Sequence, residues 1–256
     1  MQPRVTVMDA KPKVCRTAPL KCCECSQRRI CLPATLLDDE LRYLQGSIRH
    51  NRCLARQQHL FRANEPATHV YALRSGSLKS YLTGIGGKEL ITGFVFPGEL
   101  VGLDVFAGER SGCHVVALES STVCAIPVDA LEELLSSSAQ LRSNLFKSIS
   151  HQLQVEQAHL RHSRESADQR FIAFVLDLSA RFARRGLSPT RFTLPMTRAE
   201  IGSYLGLTTE TVSRLFTRYR RLGLIESNAR EICLLDVRSL WDAREALPQR
   251  AASLAE

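Results

Sequence analysis

Two stretches of this chain hold residues whose types and spacing could do chemistry. In LKCCECSQRRICLP four cysteines fall within ten residues, and Cys22, Cys25 and Cys31 form C-x2-C-x5-C just ahead of Pro33. No apolar repeat explains that density. Thiolates so spaced on a loop are ligands for a zinc ion or an iron–sulfur cluster; both favour four of them, so one more has to come from elsewhere. Residue types alone do not separate the two metals. Cys124, in the apolar run TVCAIP, reads by itself as a small core residue. The second stretch, TRAEIGSYLGLTTETVSRLFTRYRRLG at 197–223, reads as two helices joined by a tight turn. Thr197 with Glu200 makes a capping box, and Gly206 ends the first helix. Thr208 or Thr209 opens a second, whose Val212, Leu215, Phe216 and Tyr219 recur at helical spacing. Gly202 lets the helices cross closely, and Gly206 supplies a left-handed turn. Glu210, Ser213, Arg214 and Arg218 are left on other faces, where polar side chains can meet DNA. The bland counterpart is a helical hairpin with solvated arginines.

Bulk composition agrees with a nucleic-acid partner. The 256 residues allow about two domains, and the net charge of +8 favours an anionic partner. No run approaches the ~20 apolar residues of a membrane span, and the N-terminal residues lack the apolar core of a signal peptide. The expectation is a cytoplasmic protein that does not touch membrane. Nine cysteines in that reducing compartment point to metal binding over a disulfide framework. Neither a dinucleotide glycine motif nor a phosphate-binding loop is present, so the chain is expected not to be an enzyme. An iron–sulfur electron-transfer enzyme is the remote alternative.

The elements that must position these residues follow in order. Residues 1–18 read as an arm without periodicity. After the cysteines a short helix, capped by Thr35, should carry Leu36, Leu37, Leu41 and Leu44. From Arg52 to Pro127, short apolar or alternating runs are broken at Ser75-Gly76, Gly86-Gly87 and Pro97-Gly98, the signature of a small antiparallel barrel or jelly roll. Helical periodicity then runs from Val128 to about Arg164. Within it Phe146, Ile149, Leu153, Glu156 and Leu160 alternate by three and four, which is the seam of a two-stranded coiled coil and implies a homodimer. Two Glu156 carboxylates across that seam would disfavour association by ~1 to 3 kcal/mol. A further helix places Phe171, Phe174, Val175, Leu178 and Phe182 inward and stops at Gly186. A strand RFTLP, the helix pair and a hairpin turning at Asn228-Ala229 make a winged helix-turn-helix, with a final helix from about Trp241. The fold class is α+β. The expected units are a cysteine-rich arm (1–33), a jelly-roll sensor (34–130), a dimerisation helix (131–164) and a winged helix-turn-helix domain (165–256).

In that order these parts resemble the cyclic AMP receptor protein superfamily, and within it the FNR branch, the fumarate and nitrate reduction regulators. The resemblance covers nearly the whole chain. It rests on C-x2-C-x5-C-LP, LRSGSLKSY, ITGF, ALESSTVCAIP and TRAEIGSYLGLTTETVSRL. It implies a 4Fe-4S cluster held by Cys22, Cys25, Cys31 and Cys124, whose residual charge of about −2 Arg28 and Arg29 partly offset. Cys15, Cys23, Cys53, Cys113 and Cys233 match no ligand position of the family. The resemblance further implies oxygen sensing: the dimer forms and binds DNA with the cluster intact, and both are lost when oxygen attacks it. Glu210, Ser213 and Arg214 match base-reading positions, on double-stranded DNA with inverted TTGAT-like half-sites. Arg198, Arg218 and Arg221 are assigned to phosphate. RNA polymerase is the implied final partner, through barrel loops such as 84–88. The runner-up is a cyclic-nucleotide-responsive regulator of the same superfamily, because Gly98-Glu99-Leu100 and Arg110-Ser111 resemble the ribose and phosphate contacts of nucleotide-binding members. The interval between them is one residue longer than that pattern.

Overall fold

The alternation between Asn51 and Pro127 resolves into eight strands in a computed structural model that describes residues 22–48, 51–161 and 165–252. They are β1 (Asn51–Leu54), β2 (His59–Phe61), β3 (His69–Ser75), β4 (Leu78–Thr83), β5 (Glu89–Val95), β6 (Leu100–Val101), β7 (His114–Ala117) and β8 (Ser121–Pro127). They pair as two antiparallel four-stranded sheets, β1-β8-β3-β6 and β2-β7-β4-β5. Leu73, Leu78, Val115, Ala117 and Val123 fill the space between the sheets, which makes the unit the expected jelly roll.

Each sheet has a second, outward face that is also covered. Outside the first, Val70, Ala72 and Ile126 pack under Leu32 and Leu36 of the cysteine segment. The same cluster takes in α1 (Asp38–Ser47), α2 (Val128–Ser137) and the start of α3 (Ala139–Arg161). Outside the second, Tyr81, Ile91, Phe94, Phe96, Val116 and Leu118 merge with the core of the C-terminal unit. That unit comprises α4 (Ala167–Arg184), β9 (Arg191–Thr193), α5 (Arg198–Leu205), α6 (Thr209–Arg221), β10 (Ile225–Asn228), β11 (Glu231–Leu234) and α7 (Val237–Ala252). The barrel therefore stands between the cysteine segment and the helix pair.

Two boundaries differ from the expectation. The first helix starts behind Leu37, not Thr35: Glu40 closes back on the Leu37 N–H at 2.9 Å, leaving Leu41 and Leu44 buried and Leu37 73% exposed. The long helix from Val128 is two helices. Ser138 leaves helical geometry, and its Oγ accepts from the Leu141 N–H at 3.3 Å, so the same residue ends α2 and caps α3. The arm at 1–18, including Cys15, lies outside the described residues.

Candidate functional site

Three cysteines of the first candidate site come from the 3-10 turn Cys22–Glu24 and the turns that follow it; the fourth comes from the barrel. Cys124 lies on β8, paired in register with Asn51 and Ala72, and with Cys22 and Cys31 it borders the apolar cluster on the outer face of the first sheet. The thiols act on one another. Burial, then the neighbouring Cys25, raises the Cys22 pKa. Cys31 is pushed up to about 12 by burial and by Cys124, and Cys124 to about 11 by burial and by Cys22. A neighbouring thiolate makes those of Cys22, Cys31 and Cys124 harder to form, so this donor set favours a bound cation that compensates several thiolates together. Among the described residues no group of three or more His, Cys, Asp or Glu is arranged to hold a metal ion as it stands. The donors fit a soft metal centre in kind and number, and the loop has to close on Cys124 to bind one.

Arg74 was not foreseen. Its charge lowers the Cys22 and Cys124 pKa values against the effect of burial, ahead of Arg28, which acts on Cys22 only. The bulge in β3 between Leu73 and Ser75 falls at this residue. Strand alternation around Ala72 was the available signal. Arg29 is exposed, and neither thiol's shift draws on it. Cys23 is exposed, Cys113 and Cys233 are free and lie elsewhere, and Cys53 on β1 is disulfide-bonded, against the expectation for a reducing compartment.

The second site is the helix pair, and here local sequence decided the geometry. Thr197 Oγ1 accepts from the Glu200 N–H at 3.2 Å while Glu200 accepts from the Thr197 N–H at 2.7 Å. Gly206 takes φ +64°, and a Cβ at Gly202 would stand 2.7 Å from the Leu207 carbonyl oxygen. Val212 is fully buried in the wedge. Glu210, Ser213 and Arg214 project from α6 into solvent, with Glu210 and Arg214 paired at 2.5 Å; with Thr217, Arg218 and Arg221 they line an open concavity of about 600 Å³. The wing β10–β11 turns through Ala229 at φ +48° and pairs with β9.

The phosphate assignments fare unevenly. Arg221 is exposed. Arg218 is also exposed, yet its Nη1 binds Asp168 of α4 at 3.0 Å, and Tyr219 donates to the same carboxylate at 3.0 Å. Arg198 departs from the expectation. Its guanidinium lies over the Phe216 ring at 3.1 Å with Nη1 buried and unbonded, and burial pushes its pKa down to about 10. An aromatic face at the helix crossing competes for the cation, which spacing alone does not reveal.

The runner-up ligand loses its main anchor. Both Glu99 carboxylate oxygens bind Arg181 of α4, and Arg110 donates to the Asn64 carbonyl at 2.7 Å.

Comparison with known proteins decides the family. The pattern described as a cyclic nucleotide-binding domain matches residues 51–138, and that of a Crp-like helix-turn-helix domain matches 169–243. The transcriptional activator protein FnrA of Stutzerimonas stutzeri is 41% identical across 84% of this chain and 88% of its own length. The chain belongs to the FNR branch of the Crp/Fnr family. The fumarate and nitrate reduction regulatory protein of Vibrio cholerae is 37% identical over 87% of this chain and 90% of its own. Among solved structures, FixK2 from Bradyrhizobium japonicum superposes with a TM-score of 0.69 at 27% identity, covering 75% of this chain and 95% of that one. The family member described here is accordingly a DNA-binding transcription regulator. None of its helices among the described residues is long and apolar enough to cross a membrane.

Proposed function

We propose that this regulator senses oxygen through a 4Fe-4S cluster held by Cys22, Cys25, Cys31 and Cys124, and that it binds DNA as a homodimer while the cluster is intact. The observation that carries this reading is the gathering of Cys22, Cys31 and Cys124 from two distant segments against one apolar cluster, with Cys25 near enough to raise the pKa of all three. When bound, the cluster supplies an oxidisable centre that ties the loop to β8. The chain does the rest. Leu32, next to Cys31, and Leu36 share a core with Leu141 and Leu145 of α3, so movement of the loop disturbs the helix that carries the seam. On α3, Phe146, Ile149 and Leu153 are 66%, 37% and 57% exposed in the single chain, an apolar stripe that a second copy would cover. The side chain of Leu160 lies outside the described residues. Paired dimers place two copies of α6 on an inverted repeat, for which TTGAT-like half-sites are our choice, and the 84–88 loop, exposed at Gly84 and Lys88, is our candidate contact for RNA polymerase in the cytoplasm. Anaerobic purification tests the proposal: iron and sulfide in equal amounts, a brown spectrum, and DNA binding that disappears with the colour in air. A colourless zinc protein would overturn it.

Glu156 should hold the equilibrium near balance. It is exposed in the single chain, yet its surroundings already raise its carboxyl pKa by desolvation. Because each carboxylate keeps part of its hydration, the penalty across the seam is on the order of 1 kcal/mol, the low end of the sequence-based figure. Glu156→Ala is expected to raise the dimer fraction of cluster-free protein in sedimentation runs. Lowering the pH toward the raised carboxyl pKa should act in the same direction, because the neutral acid neither repels nor needs hydration. An unchanged monomer fraction in both would put Glu156 outside the interface.

A further inference from the structure

The cysteine loop and the DNA-binding unit lie on opposite outer faces of the barrel, and one short segment reaches both. Strand β5 belongs to the second sheet and β6 to the first, so residues 96–99 cross from one to the other. At Gly98 the crossover runs at φ +92°, and Ile30, next to Cys31, presses so close that a Cβ there would lie 2.6 Å from its Cδ1. Backbone bonds pin the same turn to β3: Gly98 N–H donates to the Leu73 carbonyl at 2.8 Å and Leu73 N–H to that of Glu99 at 3.0 Å. Leu73 directly follows Ala72, the register partner of Cys124.

The far end of the crossover grips α4. Glu99 Oε1 accepts from Arg181 Nε at 2.9 Å and Oε2 accepts from Nη2, while Nη2 also donates to the Phe94 carbonyl at 2.6 Å. The guanidinium lies over the Phe96 ring at 4.7 Å, and only 15% of the Arg181 side chain is exposed. A forked, half-buried ion pair of this kind fixes orientation as well as distance. Helix α4 is in turn tied to both helices of the pair: Arg170 donates to the Leu205 carbonyl at 2.9 Å, and Phe171 packs edge-on to Phe216 at 4.7 Å.

We propose that Ile30, Gly98, Glu99 and Arg181 form a relay that carries the position of the cysteine loop to the DNA-binding unit, separately from the dimer seam. Glu99 and Arg181 are positioning residues in it. The relay rests on reading the loop as the sensor. It differs from a merely structural bridge in one consequence: breaking it uncouples the two ends while leaving each intact.

The test compares wild type, Glu99→Gln and Arg181→Lys, each first shown to melt as a folded protein. In both variants iron and sulfide content and dimer fraction should stay at wild-type levels. The ratio of DNA affinities with and without the cluster should fall roughly tenfold, within the usual range of coupling between sites. An unchanged ratio in both variants overturns the relay. A second measurement does not depend on the cluster. In metal-free protein, Ile30→Ala should speed amide exchange in α4 around Arg181, and should fail to do so when combined with Glu99→Gln. Equal acceleration in both backgrounds, or none in either, overturns the relay. Wild-type protein without iron would sink the cluster reading while leaving this exchange result to be judged by itself.

Discussion

Serine in place of Cys124 is expected to abolish iron and sulfide retention outright. Three of the proposed ligands lie within ten residues of one loop, whereas Cys124 is the ligand anchored in a strand, held in register against both Asn51 and Ala72. A loop without that anchor has three thiolates and an open corner. The nearby alternative, Cys23, is exposed at the loop surface, while Cys22 and Cys31 border the apolar cluster with Cys124. Cys22→Ser, Cys25→Ser and Cys31→Ser should behave as Cys124→Ser does, and Cys233→Ser should keep wild-type iron. Metal content after anaerobic purification measures all of them. If Cys124→Ser retained full iron while Cys23→Ser lost it, the ligand set would have to be redrawn around Cys23.

Arg214→Ala should cost about 1 to 3 kcal/mol of binding on the specific site and relax discrimination at the guanine it faces, through loss of a bidentate contact to O6 and N7. Stability should hardly change. The Arg214–Glu210 pair is 78% and 73% exposed, and exposed pairs contribute little to folding. What the pair does provide is orientation, presenting the guanidinium beside a carboxylate that can accept from a cytosine amino group. Arg218→Ala makes the contrast. It breaks the link to Asp168, which keeps its bond from Tyr219, and it should weaken all sequences alike while reducing the slope of log affinity against log salt by about one. Each variant is titrated against the site, a guanine-substituted site and random DNA at several salt concentrations. Equal losses for Arg214→Ala on all three would move the reading edge of α6 to other residues.

Sequence by itself determined the parts whose causes are local. The capping box at Thr197 and Glu200, the left-handed Gly206 and the spacing of Val212, Leu215, Phe216 and Tyr219 act within a turn or two of chain, so the helix pair was legible in full. The jelly roll was expected from the run of short strands, the cysteine spacing marked out three candidate donors, and the resemblance added Cys124. Tertiary structure alone decided what depends on distant neighbours. Ser138 breaks the long helix, and α2 and α3 each bury leucines in the same apolar cluster. Arg198 turns onto the Phe216 ring of the other helix in the pair and Arg218 onto Asp168 of α4, contacts that the spacing within one helix does not reveal. Arg74 acts on the Cys22 and Cys124 thiols through its charge, and Glu99 takes Arg181 in place of a ribose, for the same reason. A charged side chain goes to whichever counter-charge or ring the fold brings within a few ångströms, and that choice is made between different elements of the chain.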